Sequence, residues 1–513
     1  MARTASLNRR TFVAGATTAV VLGAAGTGAA LADGAADAAV AEPAETLTCD
    51  VVVVGAGISG LAAAVQAAQD GLNVVVLEKA DTAGGNGNGV EGIFAVGSTI
   101  QQSLGIEIEP SDILKSELEG AQYRVDASLW LNMIGNSAEN LSWLEDNGVT
   151  FQGVVDNYHT GKVDTMHWFN GNFGGGGECY VPAMQAAAEQ AGATFRFGCA
   201  GSELVFEDGA VRGVIATDAD GNTVKVESAA VILASGGLGY NPELLAKQGW
   251  TADEVSRMIT YTVSTICGDG YTMARSVGAK DFIANSCDQV FNRLQAFAGI
   301  NDFPLHNGGP VLWVNQDGNR CGNEAMYWIN LGGQHACLKN NRESYVLFDQ
   351  AILEASFADP STMDQVEAAL EAPENDAFVC RADSVAELAE HFGMDAAALE
   401  ATVERYNELC HGGEDLDIGK DAQFMVALEN GPLYMARMCF MFVAIDGGIP
   451  TNVRAEALDD DLRAIPGLYA VGLDGAMMWR NIYTQDIPGT MMGHNVNSGR
   501  NAARAAGAYI AGL

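Results

Sequence analysis

The sequence predicts an α/β fold, and three stretches predict it. Residues 49–60, CDVVVVGAGISG, run four valines directly into G-x-G-x-x-G. Residues 229–245 and 465–475, AAVILASGGLGYNPELL and IPGLYAVGLDG, repeat the pattern of a buried strand ending in glycine. Residues 383–410, DSVAELAEHFGMDAAALEATVERYNELC, carry a helical period of their own and predict a separate lobe.

In chain order, the first element is an address. Arg3, Arg9 and Arg10 are the only charges before Asp33, and the uncharged run after them ends in Ala30-Leu31-Ala32. This reads as a twin-arginine export signal over 1–32 with an A-x-A cleavage site. Residues 33–47 are small and acidic at first and read as a tether. No apolar run long enough for a transmembrane helix follows, so no stable membrane insertion is expected.

The valines of 51–54 predict a parallel strand buried on both faces. Gly55, Gly57 and Gly60 form the fingerprint, and LAAAVQAAQDG continues as a helix to Gly71. A second strand, NVVVLEK, ends at Glu78. Strand, helix, strand and acid together specify dinucleotide binding. The glycines admit a pyrophosphate to the helix N-terminus, and the acid takes ribose hydroxyls.

Composition excludes other classes. The 513 residues hold 65 Asp+Glu against 27 Lys+Arg, a net charge of −38. Such a surface repels nucleic acid and anionic membranes. None of the ten cysteines forms C-x-x-C, and no metal site is expected. They read as small buried hydrophobes, for example Cys199, Cys267 and Cys439.

The motifs then converge. Gly84-Gly85-Asn86 follows the acid, ASGG ends the strand at 237, CGDGYTMARSVGA places Asp269 before a helix, and GLYAVG ends at Gly472. In this order they resemble the flavoprotein subunit of fumarate reductase and succinate dehydrogenase, a family that includes 3-ketosteroid dehydrogenases. The resemblance covers about residues 48–510. It implies FAD, held by a Rossmann-like FAD-binding domain in two pieces (48–287 and 444–513), with an inserted α+β capping domain (288–443). Carried onto this sequence, the cofactor-binding set is Gly55, Gly57, Ser59, Gly60, Glu78, Lys79, Gly85, Asn86, Gly92, Gly236, Asp269 and Gly472. Thr490, Met491 and Met492 join it at the head of the last helix, whose dipole faces the flavin pyrimidine in the family. An FAD domain folded in the cytoplasm also explains an export route for folded proteins.

The resemblance fails where fumarate would bind. Four residues after Asn323-Glu324, fumarate reductases place a proton-donor arginine; here Trp328 stands there, with Tyr327 beside it. MFVAIDGG (441–448) lacks the family's substrate histidine, and IPGTMMGHN (487–495) lacks its second carboxylate-binding arginine. Buried carboxylates left unpaired cost several kcal/mol, so fumarate is not the expected substrate. Ketosteroid dehydrogenases instead carry a tyrosine eleven residues after GLYAVG. Here that is Tyr483, and Gly489 follows it two residues later than the family spacing. The expected catalytic set is Tyr483 and Gly489, donating to the oxygen of a neutral cyclic enone, with Tyr327 exchanging the α-carbon proton. Hydride moves between flavin N5 and the β-carbon. His494 stands near the head of the last helix, and nothing else in the sequence supports a flavin contact for it.

Two stretches are set aside. FNGNFGGGGECY (169–180) lacks the Lys-Ser/Thr of a phosphate loop and reads as a flexible loop. LYMARMCFMFVAI (433–445) reads as an apolar strand, either core or substrate wall. No second dinucleotide fingerprint, haem motif or FMN-attachment sequence is found, the GATT of 15–18 lying within the signal. A separate redox partner, a cytochrome or membrane electron donor, is expected outside the cytoplasmic membrane, beside a small neutral organic substrate. The competing reading is a flavin-binding electron-transfer or binding protein without this chemistry.

Overall fold

The computed structural model describes residues 43–513, apart from 159–160, 172–174, 301–302, 327–338, 358–359 and 476. The twin-arginine stretch, most of the tether, Tyr327 and Trp328 therefore lie outside the described residues.

An eight-stranded sheet holds the nucleotide motifs. Its five parallel strands are, in spatial order, Ala464–Ala470, Thr223–Leu233, Glu45–Val54, Val74–Leu77 and Thr194–Arg196. A hairpin, Ala200–Glu207 and Ala210–Thr217, joins antiparallel beside Thr223–Leu233. The first strand begins at Glu45, paired with Val224, so residues 45–47 are strand and not tether. The reason is length of partner: Thr223–Leu233 offers backbone partners that far back, and the edge groups take them. Strands from both sides of the middle region share this one sheet, which brings GLYAVG beside ASGG.

Helix Ile58–Gln69 follows the fingerprint and is buried at every position from Ile58 to Ala68. It lies between the sheet and the C-terminal helix, Thr490–Ile510. The alanines of LAAAVQAA permit this close approach. A Cβ on Gly499 would stand 2.4 Å from the Ser59 carbonyl oxygen.

A second sheet of six strands is built on Leu433–Ile445. This strand pairs with Ile259–Thr260, Asp288–Leu294, Ser344–Asp349 and Val379–Ala382. The predicted lobe appears as helices Val385–Phe392 and Ala396–Gly412, capped by Ser384 and Asp395. A three-stranded sheet joins Gly92–Phe94, Met166–Phe169 and Phe151–Asp156.

The glycine run differs from its sequence reading. Strand Met166–Phe169 does precede it, and Gly176–Tyr180 forms a π-helical turn running into helix Val181–Gln190. Tyr180 explains the order: it is fully buried and donates to the Ile58 carbonyl at 2.8 Å. Nine cysteines among the described residues are free. Cys199 and Cys439 are buried as expected, whereas Cys267 is only half-buried.

Candidate active site

A cleft of about 780 Å³ opens where strand Glu45–Val54 ends. Gly55 follows with φ +108°, and a Cβ there would stand 2.3 Å from the Ala234 carbonyl oxygen. A Cβ on Gly60 would stand 1.9 Å from the Gly55 carbonyl oxygen. These two glycines seal the turn against backbone. Gly57 differs, because a Cβ there would meet nothing nearer than Gly84 O at 3.8 Å. Its missing side chain leaves an open cradle beside a helix N-terminus that has no side-chain cap. First-turn N–H groups without partners attract an anion.

Gly55, Gly57, Ser59, Glu78, Lys79, Gly85, Asn86, Gly236 and Asp269 all line this cleft. Glu78 accepts from Ala56 N at 2.7 Å and from Ala80 N at 2.8 Å, which fixes its carboxylate at the strand end. Lys79 Nζ reaches Asp269 at 3.0 Å across the mouth. Asn86 Oδ1 accepts from Val263 N at 2.8 Å and so ties the GGN loop to a segment far along the chain.

The remaining predicted residues stand elsewhere. Gly60 packs under the turn. Gly92 lies in the three-stranded sheet, where a Cβ would stand 2.3 Å from the His167 carbonyl oxygen. It serves close strand packing and does not line the cleft. Gly472 lies against Ser59 in the turn beneath it, its N–H donating to Ser498 Oγ at 3.0 Å.

Sequence reasoning missed Asp474, which is fully buried. It accepts from Ser235 N at 2.5 Å and Gly237 N at 3.1 Å, tying GLDG to ASGG. Burial pushes its carboxyl up to about 6. The acid within GLDG was the available signal. Asn495 also lines the cleft, and its Oδ1 finds no partner among the described residues. The open Gly57 cradle, the uncapped helix and this orphaned oxygen fit a dinucleotide cofactor.

A second region lies at the head of the C-terminal helix. Gly489 is its N-cap at φ +80°, pressed so closely on Phe94 that a Cβ would stand 2.5 Å from Phe94 N. No side chain caps the helix. Thr490 and Met492 are buried, with Met491 half-buried between them. Tyr483 is buried in an apolar cluster with Phe94, Trp130, Cys287, Phe291, Met441 and Trp479. Its hydroxyl lies 3.5 Å from Thr490 Oγ1, which joins the two predicted positions. Burial pushes the phenol far above its ordinary range, so Tyr483 stays protonated and can donate.

Trp479 packs edge-on between Tyr483 and His494, at 5.3 Å from each ring. His494 Nε2 donates to the Gly472 carbonyl at 3.2 Å. Burial pushes the imidazole down to about 4, so it is neutral near pH 7.

The ionisable neighbours of Tyr483 are acids. Glu117 accepts from Thr484 Oγ1 at 3.0 Å, and burial pushes it up to about 7. Asp446 is fully buried, its carboxylate has no hydrogen-bond partner among the described residues, and burial pushes it well above its ordinary range. Cations lie near as well: Lys162 pairs with the buried Asp486 at 2.5 Å, and a second, Arg293, was missed by the sequence reading. Arg293, on strand Asp288–Leu294, is 8% exposed and places Nε 3.1 Å from Met441 Sδ.

Glu324 of the Asn323-Glu324 pair serves structure. It is fully buried, with Arg320 at 2.7 Å and Lys420 at 3.7 Å.

Comparison with known proteins follows this geometry closely. The family profile described as FAD binding domain matches residues 50–483. The vinyl phenol reductase of Lactiplantibacillus plantarum is 30% identical over 493 residues, covering 90% of this chain and 96% of that protein. An open-conformation flavocytochrome c3 fumarate reductase superposes with a TM-score of 0.68 at 25% identity, over 92% of this chain and 79% of that one. The 3-ketosteroid-Δ4-(5α)-dehydrogenase of Rhodococcus jostii RHA1 superposes with a TM-score of 0.71 at 23% identity, over 90% and 97%. The chain belongs to the FAD-dependent flavoprotein family that contains the fumarate reductases and 3-ketosteroid dehydrogenases. It is an FAD-dependent oxidoreductase acting on carbon–carbon double bonds. Among the described residues, no helix is long and apolar enough to cross a membrane.

Proposed function

We propose that the protein reduces the C=C bond of a neutral, conjugated cyclic or aromatic substrate, and that it works after export by the twin-arginine route. The observation that carries this reading is the Tyr483 phenol, buried among aromatic and methionine side chains beside the uncapped helix head at Gly489. A neutral donor in an apolar pocket suits a substrate oxygen that gains charge only during the reaction. A dicarboxylate would meet Glu117 and Asp446 there instead of paired arginines. The vinyl phenol reductase relative supports the same reading, since its named substrate is an uncharged ring bearing an alkene.

Bound FAD supplies the hydride chemistry. The chain's residues do the rest. Tyr483 Oη and Gly489 N–H hold the substrate oxygen. The apolar walls of Phe291, Met441 and Trp479 orient the ring and exclude water. Tyr327 exchanges the α-carbon proton. Glu78, Gly57, Asn86 and Asp269 would hold the nucleotide end of the cofactor, and Thr490, Met491 and Met492 would stand beside its flavin. With the chain divided into 48–287 and 444–513 around a cap of 288–443, the substrate would lie between the FAD-binding domain and the cap. Electrons come from a separate partner, a cytochrome or a membrane donor.

The test is a substrate panel with a reduced viologen dye as donor and product analysis by chromatography. Neutral conjugated substrates, 4-vinylphenol and cyclic enones among them, are expected to be reduced, and fumarate is not. Turnover of fumarate alone contradicts the reading. Turnover of nothing on the panel favours the electron-transfer alternative.

A further inference from the structure

Arg293 has no counter-ion among the described residues, although it is more than nine-tenths buried. Its Nε is occupied by the Met441 sulfur at 3.1 Å, and no acceptor for its Nη amines is found among the described residues. Guanidinium cannot escape this by losing its proton. Buried cations are otherwise paired, because desolvation is costly without an acceptor.

The register shows which way this strand face looks. Phe291 pairs with Met441 and Arg293 with Cys439. Side chains two apart share a face. Phe291 and Met441 belong to the cluster that holds Tyr483, and Val443 packs against it. Arg293 therefore stands on the same face, one step along the strand. The other arginine on this face, Arg437, is already engaged by Glu343 at 2.7 Å.

We infer that Arg293 is the charged partner, alongside the Tyr483 hydroxyl, of an acidic oxygen on the substrate ring, a phenolic hydroxyl taken up as phenolate with its proton released to solvent. The inference rests on the proposed function and narrows its substrate class. The phenol is neutral in water, so it fits a pocket that rejects dicarboxylates. With Nε occupied, the two Nη amines can still close on a phenolate oxygen from both sides. The apolar side chains of Phe291 and Met441 beside it suit a ring. An ether or an isolated alkene would leave the cation unpaired.

The test uses the oxidised FAD-loaded protein and three product-like probes: 4-ethylphenol, 4-ethylanisole and 4-ethylbenzoate. Affinity is measured by titration, and ionisation by the carbon-13 shift of the oxygen-bearing ring carbon of labelled 4-ethylphenol. Wild type is expected to bind the phenol at least about tenfold more tightly than the anisole, with the shift of a phenolate. Arg293→Met is expected to lose both the preference and the shift while keeping its flavin. Arg293→Lys keeps the charge and should retain part of the preference. Equal binding of phenol and anisole by wild type overturns the inference, whatever the variants do. So does a preference for the benzoate over the phenol, or a phenol preference that survives in Arg293→Met. Turnover without phenol preference leaves the proposed function standing and removes this inference. Arg293-dependent phenol preference without turnover of any alkene does the reverse.

Discussion

The nucleotide cleft and the region around Tyr483 are built in opposite ways. The cleft is assembled mainly from short glycine segments at strand ends, 55–60, 84–86 and 235–237. Each has its function written in local spacing. The Tyr483 region draws on residues 117, 293, 446, 483 and 490, which no local pattern connects. The cleft leaves backbone N–H groups and an open cradle for a charged ligand. The other region buries phenol, indole and thioether, together with acids that burial keeps protonated. The first suits a phosphate, and the second suits an uncharged ring.

The largest effects should come from the cleft's glycines. Gly60→Val drives a side chain into Gly55 O, which would stand 1.9 Å from its Cβ. No folded, yellow protein is expected, as read by flavin absorbance and circular dichroism. Gly57→Ala should fold normally, because its Cβ has room, and should weaken FAD binding by about 1–3 kcal/mol. Equal loss of fold in both variants would break the distinction between sealing and cradle glycines.

A smaller effect tests the acidic region. Glu117 keeps its proton to about pH 7 in the fold, against an ordinary value of 4.5. The folded chain therefore binds a proton that the unfolded chain has lost, so Glu117 lowers stability as pH rises from about 4.5 to about 7. Glu117→Gln should remove that slope. Thermal melts across this window should show the variant gaining on wild type as pH rises, and parallel curves would contradict the assignment.

The smallest effect is at the cleft mouth. Lys79 and Asp269 are 37% and 32% exposed, so their ion pair contributes below about 1 kcal/mol to stability. Lys79→Ala should leave the melting temperature nearly unchanged. If it lowers stability strongly, the mouth carries more of the fold than its exposure implies.

These contrasts mirror what the sequence disclosed. Four buried valines, a G-x-G-x-x-G and a strand-end Glu78 are signals of local conformation, and they were readable. Tyr483 was singled out by its distance from GLYAVG, and its 3.5 Å approach to Thr490 came from the fold. Gly92 misled because a glycine after a glycine loop looks like cofactor space. Its real constraint is the His167 backbone across a sheet. Residues 45–47 looked like tether because their pairing partner lies nearly 180 residues away. Arg293 was invisible, because FNRLQ gives no hint that its arginine is buried with no carboxylate beside it among the described residues. Burial and missing partners are properties of the packed chain.

The most direct test of the account is single-turnover kinetics at Tyr483. The reduced, FAD-loaded protein is mixed anaerobically with 4-vinylphenol or an active enone, and flavin reoxidation is followed by stopped flow. Tyr483→Phe is predicted to slow that step by about 100-fold, with flavin content and substrate saturation little changed. An unchanged rate in Tyr483→Phe for every active substrate would contradict the claim that a buried neutral phenol carries the chemistry.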